Sequence, residues 1–346
     1  MFGVELPVLW FILVAVLFAG YFLLEGFDFG VGMLLPILGR EERKRKAMIN
    51  TIGPVWDGNE VWLITAGGAL FAAFPEWYAT MFSGFYLPLF FILLALIVRV
   101  VGLEWRSKVQ EERWRSLCDA GIIFGSWLPP VLWGIAMANL VRGVRIDENK
   151  QMATGFSDLL ALLNPYALLG GLAFSALFVL HAVAFLRLKT TGTLREHIGA
   201  ALPVSAGLTV LFCGGFAVWT QLAFGKDWTW IATGIALVCV VASVLAALGN
   251  RDGWAFFTSS LAVLCTTVLL FGSLYPFLMP SMVEGGVSLD IWNSASNPYT
   301  LRIMTWSALV VTPLVIGYQT WTYWVFRKRI SADPQALADS LSLIHI

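Results

Sequence analysis

Long apolar runs recur along this chain. Nine of them are long enough to cross about 30 Å of hydrocarbon as a helix. A backbone in lipid must satisfy its hydrogen bonds internally, and a helix does this within one segment. The sequence therefore predicts an all-α polytopic membrane protein with about nine transmembrane helices. We place them near 7–38, 51–74, 77–104, 116–141, 164–186, 199–224, 229–248, 254–280 and 300–326.

The composition supports a membrane environment. Of the 346 residues, 58% are hydrophobic and 13% are charged, whereas about 25% of the residues in a soluble domain are charged. Basic and acidic residues balance at 22 each, so the net charge favours no polyanionic partner such as nucleic acid. The four cysteines form no CxxC pair and are expected to be small buried side chains.

The basic residues divide unevenly between the two sets of predicted loops. Sixteen of the 22 lysines and arginines fall in one set, and four fall in the other. Cytoplasmic loops carry the excess of basic residues, so we expect the N-terminus outside and the C-terminus in the cytoplasm. An odd number of spans agrees with this orientation. The basic set consists of residues within 40–46, 106–115, 187–195, 251 and 327–329.

The domain organisation is predicted to be a single transmembrane domain, 1–330, followed by a cytoplasmic tail, 331–346. Gly125-Ser-Trp-Leu-Pro129 in the fourth span echoes Gly272-Ser-Leu-Tyr-Pro276 in the eighth. This echo would suit two four-helix bundles, about 1–141 and 164–280, plus a peripheral helix at 300–326. A match this short also arises by chance.

Four acids lie within the first two predicted spans. Glu25 and Asp28 are spaced i, i+3 in the first span, and Asp57 and Glu60 are spaced in the same way in the second. Each pair should therefore share a helix face. From the helical rise, Asp28 lies roughly 15 Å and Asp57 roughly 10 Å from the cytoplasmic end. The two pairs are predicted to converge in the inner half of the membrane.

Three interpretations of these acids compete. The first is that they only fix helix packing, the second that they bind two metal ions, and the third that they conduct protons from the cytoplasm. Di-metal bundles use a Glu-x-x-His motif that these spans lack, which disfavours a metal site. Proton conduction is favoured. Arg99, the other charge within a span, should pair with Glu104 or with one of the acids, and a structural ion pair is as reasonable as a functional one.

Histidines are scarce, and only His181 of the three lies within a span. A b-type haem with two axial protein ligands needs at least two suitable residues, so His181 is expected to be a hydrogen-bonded core residue. Two of the sixteen tryptophans, Trp56 and Trp62, lie beside the acids. They are candidates to line a pathway or a lipid-quinone groove, although packing alone would also account for them.

Several segments resemble one family. They are Gly26–Gly32, Asn50–Pro75, Ser83–Tyr86, Trp254–Phe256 and Met304–Trp306. Together with the nine spans, they resemble subunit II of the cytochrome bd-type quinol oxidases over essentially the whole chain. The run from Asn50 to Pro75 is the longest and most specific of these matches.

The resemblance implies a complex of the bacterial cytoplasmic membrane and the aerobic respiratory chain. In this family, subunit II pairs with subunit I as a pseudo-symmetric heterodimer, with small single-span accessory subunits in some members. Subunit I carries haem b558, haem b595, haem d and the quinol-oxidising loop. The complex transfers four electrons from quinol to oxygen and forms water, and it generates proton-motive force without pumping. Some members also hold a structural quinone on subunit II.

The resemblance also assigns roles to individual residues. Asp57 matches the acid that delivers cytoplasmic protons toward subunit I, and Asp28 matches the conserved acid of the first span. Trp62 matches a tryptophan near an entrance proposed for oxygen. Glu60 stands where some members have glutamine, and Val55 stands where some have histidine, so the proton and oxygen routes need not be identical here.

The remaining candidates and alternatives follow from the same residues. Glu25 and Glu60 complete the set of proton-pathway candidates, and Trp56 is a weaker candidate for contact with quinone or the partner subunit. From a different class, the chain would be a proton-coupled secondary transporter, since such proteins also place acids and glycines at midplane. The Asn50–Pro75 run argues against a transporter. A purely structural membrane subunit is the third alternative.

Overall fold

The described part of the chain, residues 5–332 in a computed structural model, is largely helical. One short antiparallel sheet pairs β1 (Phe277–Met279) with β2 (Leu289–Asp290). The predicted tail beyond Ala332 lies outside the described residues. The helices are α1 (Leu6–Leu38), α2 (Glu42–Ile52), α3 (Trp56–Ala73), α4 (Pro75–Gly84), α5 (Tyr86–Trp105), α6 (Glu112–Arg142), α7 (Phe156–Ala161), α8 (Pro165–Lys189), α9 (Gly192–Ala200), α10 (Leu202–Ala223), α11 (Thr229–Leu248), α12 (Asp252–Leu274) and α13 (Pro298–Val325).

Within residues 5–332, eight helical segments are long and apolar enough to cross a membrane. They are α1, α5, α6, α8, α9 with α10, α11, α12 and α13. The prediction of an all-α polytopic membrane protein is confirmed. The predicted second span is not among the eight. It corresponds to α3, a helix of 18 residues that holds Asp57, Asn59 and Glu60 in its first two turns. The count of nine spans therefore remains a prediction.

Two predicted spans had the wrong limits. The run 77–104 is not one helix, because the chain breaks at Phe85 between α4 and α5. The run 254–280 ends as a helix at Leu274, since Tyr275 adopts an extended conformation before Pro276 and β1 follows. In both places apolar residues continue across the break, so hydropathy alone does not reveal it.

The helices surround α1, which packs against α3, α6, α8 and α12. The α6 and α8 helices meet backbone to backbone, because a Cβ at Gly134 would lie 2.2 Å from the carbonyl oxygen of Gly170. Small residues allow this close approach of membrane helices. The α13 helix is peripheral: only 6% of its most apolar stretch is buried within the chain.

Ion pairs join the connections at one end of the bundle, which we call the arginine end. Asp119 accepts hydrogen bonds from Arg45 at 2.8 Å and from Arg106 at 2.6 Å. Arg106 also donates to both carboxylate oxygens of Glu42, at 2.9 and 2.7 Å. The hydrogen bond from Arg106 lowers the pKa of Glu42, which lies at the solvent-facing start of α2. The α1–α2 and α5–α6 connections are thereby tied together.

A second ionic cluster at the arginine end joins the α8–α9 and α11–α12 connections to the residues after α13. The buried Asp252 carboxylate accepts from Arg187 at 3.2 Å, Arg195 at 2.8 Å and Arg329 at 3.4 Å. The structure thus brings the predicted basic loops to one end of the molecule. Which side of the membrane that end occupies remains a prediction.

The opposite end, which we call the strand end, holds the sheet and the basic residues of the opposite set of loops, such as Arg145 and Lys150. Lys150 pairs with Glu76 of α4, and Val144 donates its backbone N–H to the carbonyl of Pro280 at 3.0 Å. Ser296, just before α13, donates to the α3 carbonyls of Ala72 and Ala73. The contacts of Ser296 fix the ends of α3 and α13 at the strand end relative to each other.

Candidate functional site

The two acids of α1 are fully buried. Glu25 and Asp28 lie one turn apart, and neither side chain is exposed. The glycine at position 30 allows α8 to approach α1 closely beside them, since a Cβ there would lie 2.2 Å from the carbonyl oxygen of Phe178. Both carboxyls therefore lie in the protein interior and not in lipid.

Arg99 of α5 is the cation that these acids face. Its fully buried guanidinium donates to Glu25, and it also donates to Glu60 Oε1 at 3.2 Å. The guanidinium carbon stands over the ring of Phe29, 4.7 Å from the centroid. Of the two partners expected from the sequence, the span acids are right and Glu104 is wrong, because Glu104 is exposed. The structure thus brings Glu25 and Glu60 together through one guanidinium.

Asp28 is held by a different group, the side-chain amide of Asn59. The amide nitrogen donates to Asp28 Oδ2 at 2.6 Å. The amide oxygen accepts from the Tyr323 hydroxyl at 2.7 Å and from Gln319 Nε2 at 3.2 Å. Gln319 Oε1 in turn accepts from the Trp62 indole at 2.7 Å. A continuous series of hydrogen bonds therefore links α1, α3 and α13.

Asp57 lies outside this buried network. Glu60 turns inward, with 18% of its side chain exposed, whereas Asp57 is exposed on the surface of α3. Within residues 5–332, the carboxylate of Asp57 forms no hydrogen bond or ion pair. Of the two acids of the second predicted span, Glu60 therefore belongs to the buried network, and Asp57 lies on the surface beside it.

The buried cluster has more acids than cations. Three carboxyls, of Glu25, Asp28 and Glu60, lie in this cluster with one guanidinium, that of Arg99, which of the three contacts only Glu25 and Glu60. Among the described residues, Glu25 Oε2, Asp28 Oδ1 and two nitrogens of Arg99 are buried without a hydrogen-bond partner. Buried polar atoms in folded proteins are normally satisfied by protein or by water. The side chains of the cluster therefore leave some of its buried acceptor and donor atoms unsatisfied.

The two tryptophan candidates are both half-buried. Trp62 lies flat against α1, where a Cβ at Gly20 would be 2.1 Å from its ring. Trp56 is in the first turn of α3. An apolar cavity of about 720 Å³, formed by α3, α4 and α5, is lined by neither tryptophan. This cavity therefore adds no support to the roles predicted for them.

His181 is a hydrogen-bonded residue of the core. Its Nε2 lies 3.0 Å from the carbonyl oxygen of Leu23, and its Nδ1 lies 2.8 Å from the Ser259 hydroxyl. The ring stacks on Phe256 at a centroid distance of 5.0 Å. Both nitrogens are engaged, so this arrangement does not fit axial ligation of a haem. Over residues 5–332, no three His, Cys, Asp or Glu side chains are grouped so as to hold a metal ion.

Three residues of the network were not predicted from the sequence. Asn59, Gln319 and Tyr323 are uncharged, so a search for charges at membrane depth passes over them. Two signals were available. Asn59 stands between the acids Asp57 and Glu60, and Gln319 and Tyr323 are spaced i, i+4 in an apolar helix, which places them on one face.

The fold and this cluster define a polytopic helical membrane protein that holds ionisable side chains at membrane depth. A sequence model of cytochrome bd terminal oxidase subunit II matches residues 6–326, and the chain belongs to that family. The resemblance predicted from the sequence is thus confirmed.

Two relatives and one solved structure illustrate the similarity. The chain is 42% identical over 330 residues to cytochrome bd ubiquinol oxidase subunit 2 of Bacillus subtilis, which covers 93% of this chain and 96% of that protein. It is 35% identical over 362 residues to cytochrome bd-I ubiquinol oxidase subunit 2 of Escherichia coli K12, covering 94% and 95%. The structure of bd oxidase from Geobacillus thermodenitrificans matches with a TM-score of 0.75 at 19% identity, covering 93% of this chain and 98% of that one. At that identity the structural match shows the fold alone.

Proposed function

We propose that this chain is subunit II of a bd-type quinol:oxygen oxidoreductase in the bacterial cytoplasmic membrane. In this proposal it pairs with a haem-bearing subunit I and delivers protons from the cytoplasm for the reduction of oxygen to water. Family membership and the names of the relatives support the oxidase assignment. The buried cluster around Arg99 supports the role in proton delivery.

The single observation that carries the proton role is the excess of carboxyls over cations. One guanidinium can neutralise one carboxylate, so the other carboxyls of the cluster add net negative charge unless they hold protons. Such a group of acids at membrane depth is typical of proton relays. We infer a route that includes Asp57, Glu60, Glu25 and Asp28.

The position of Asp57 supports a partner subunit. A carboxylate that faces lipid is energetically costly, yet Asp57 is exposed on α3, and the neighbouring α13 buries little of its apolar surface. A second membrane protein that covers this face would remove Asp57 from lipid and receive protons from it. We propose that this protein is subunit I, and small accessory subunits remain a further prediction.

The proposed division of cofactors follows from the same reasoning. The engagement of both nitrogens of His181 supports the placement of haem b558, haem b595 and haem d in subunit I. Quinol is the proposed electron donor, oxidised on subunit I. A structural quinone on this chain, with Trp56 as a weak contact candidate, is a further proposal. Release of bound quinone on Trp56→Ala, measured by extraction and chromatography, would test it.

The proton role is tested by Asp57→Asn in the complex purified from its native membrane. We expect quinol-dependent oxygen consumption to fall by about tenfold or more, since general acid–base groups contribute at least that much. Haem content and accompanying polypeptides should be unchanged. Glu104→Gln, which alters an exposed acid outside the network, serves as the matched control and should retain full activity.

Other outcomes would favour the alternatives. If Asp57→Asn loses haem and partner along with activity, the acid is structural. If the purified wild-type chain is colourless, partner-free and folded, the oxidase assignment fails and transport assays become the next step. Visible difference spectra, reduced minus oxidised, distinguish these cases.

We also propose that Trp62 lies at an oxygen entrance. Its half-buried ring packs against Gly20 of α1, and its indole donates to Gln319 of the network. Trp62→Ala should change the apparent KM for oxygen, whereas Trp230→Ala, at an exposed position of α11, should not. An unchanged KM in Trp62→Ala would contradict the proposal.

A further inference from the structure

We propose that Asn59, Gln319 and Tyr323 form a clamp through which α13 positions the carboxyl of Asp28. These are positioning residues, since they act on the proton site and hold no substrate. The inference rests on the proposed proton route and adds to it three uncharged residues. We refer to the three side chains as the α13 clamp.

The amide of Asn59 is the centre of the clamp. It is fully buried, and its nitrogen donates to Asp28 Oδ2 at 2.6 Å and, more weakly, to the carbonyl oxygen of Leu24 at 3.4 Å. The carbonyl of Leu24 can only accept, so the NH₂ group must face α1. The amide oxygen therefore faces α13, where Tyr323 and Gln319 donate to it. Both ends of the amide are thereby fixed in direction.

The α13 helix makes few other contacts of this kind. At the strand end, the Trp10 indole donates to the Leu301 carbonyl and to the Thr305 hydroxyl, both at 3.1 Å. An apolar groove of about 940 Å³ between α1 and α13 begins at the level of this contact and extends to Gly317. In the other half of α13, the clamp is joined by the Trp62–Gln319 hydrogen bond, and the end of the helix is held by Lys189, which donates to the carbonyl of Phe326. The position of α13 and the orientation of Asn59 are therefore coupled.

The clamp engages only one oxygen of Asp28. Oδ2 accepts from Asn59, whereas Oδ1 is buried with no hydrogen-bond partner among residues 5–332. An amide does not ionise, so Asn59 is suited to hold the carboxyl and not to carry its proton. With Oδ2 held, Oδ1 is the atom left to take up and release a proton. If the clamp is loosened, the Asp28 carboxyl can rotate, and its two oxygens then no longer have different roles.

The test uses Tyr323→Phe in the complex purified from its native membrane. This substitution removes the hydroxyl that donates to Asn59 and keeps the ring. The Asp28 carboxyl is assigned by the infrared difference between wild type and Asp28→Asn. We expect Tyr323→Phe to shift that carboxyl band and to lower turnover by about fivefold, the effect of one lost buried hydrogen bond. Tyr318→Phe, on the exposed surface of the same helix, is the matched control and should change neither.

A second variant and a double-mutant cycle keep the test decisive. Gln319→Leu removes the other donor to Asn59 and should shift the same band. In an Asn59→Leu background, Tyr323→Phe should have no further effect, because the clamp has already been removed. The clamp would be overturned if Tyr323→Phe and Gln319→Leu had the same carboxyl band and the same turnover as the control Tyr318→Phe. If Tyr323→Phe shifts the band but Asp28→Asn retains full turnover, the clamp stands and the proposed route through Asp28 fails.

Discussion

At the scale of single residues, Arg99 decides whether the polar cluster can exist inside the bundle. Its guanidinium is the one positive charge in contact with Glu25 and Glu60 among the described residues, and it is fully buried. Removing one member of a buried ion pair leaves an uncompensated charge, whereas removing both members together is often tolerated. The contribution of Arg99 to stability is therefore conditional on the acids that it faces.

This leads to a prediction about a pair of variants. Arg99→Leu should destabilise the protein by about 3 kcal/mol or more, because Glu25 then lacks its partner. The double variant Arg99→Leu/Glu25→Leu should recover much of that loss. Thermal unfolding of the purified complexes measures both. A double variant that is less stable than Arg99→Leu alone would show that Glu25 contributes through contacts other than this ion pair.

Charged residues of the cluster were more predictable than uncharged ones. A charge within an apolar run needs compensation wherever the run folds, so Glu25, Asp28, Glu60 and Arg99 stand out in the sequence. The amide of Asn59 carries no such signal, since its role depends on residues some 260 positions later in the chain. The exposure of Asp57 depends on the rotation of α3, which its sequence pattern left open.

At the scale of helices, α6 and α8 form one of the close backbone contacts of the core. A side chain at Gly134 would meet the backbone of α8, which cannot move away as a flexible side chain can. The distance between these helices is therefore fixed by the absence of a Cβ atom.

The corresponding prediction concerns Gly134→Ala. The added methyl should separate α6 from α8 and destabilise the protein by about 1–3 kcal/mol, as overpacking does. Gly207→Ala on α10 is the control, since a Cβ there meets nothing within 4 Å. That control should be neutral or slightly stabilising, because alanine favours helix. Equal unfolding temperatures for the two variants would contradict the prediction.

Helix positions were predictable from apolar runs, but helix breaks were not. The predicted seventh span, 229–248, has the limits of α11, and the first differs from α1 by one residue. The break at Phe85 falls inside an apolar stretch, so the hydropathy of the sequence does not reveal it. The end of α12 was more accessible, since Pro276 follows it.

At the scale of the whole molecule, the arginine end contains two ionic clusters of similar composition. Asp119 of α6 and Asp252 of α12 each collect arginines from neighbouring connections. The α6 and α12 helices also hold the two halves of the Gly-Ser echo, at Gly125 and Gly272. This repetition agrees with the predicted duplication, which remains a prediction.

The orientation of the molecule in the membrane can be tested by labelling. In a background without native cysteines, Lys108→Cys should lie in the cytoplasm and Glu284→Cys outside, because the arginine end carries the excess of basic residues. A membrane-impermeant maleimide applied to intact spheroplasts should label position 284 and not 108. The reverse labelling pattern would invert the orientation and with it the direction of the proposed proton route.

The peripheral position of α13 has a consequence for biosynthesis. Synthesis proceeds from the N-terminus, so α13 is the last of the described helices to leave the ribosome, after Asp28 and Asn59 have already entered the membrane. Until it arrives, the oxygen of the Asn59 amide lacks both of its donors. The nascent chain can assemble the ion pairs of Arg99 early, but the surroundings of Asp28 are completed only when α13 inserts.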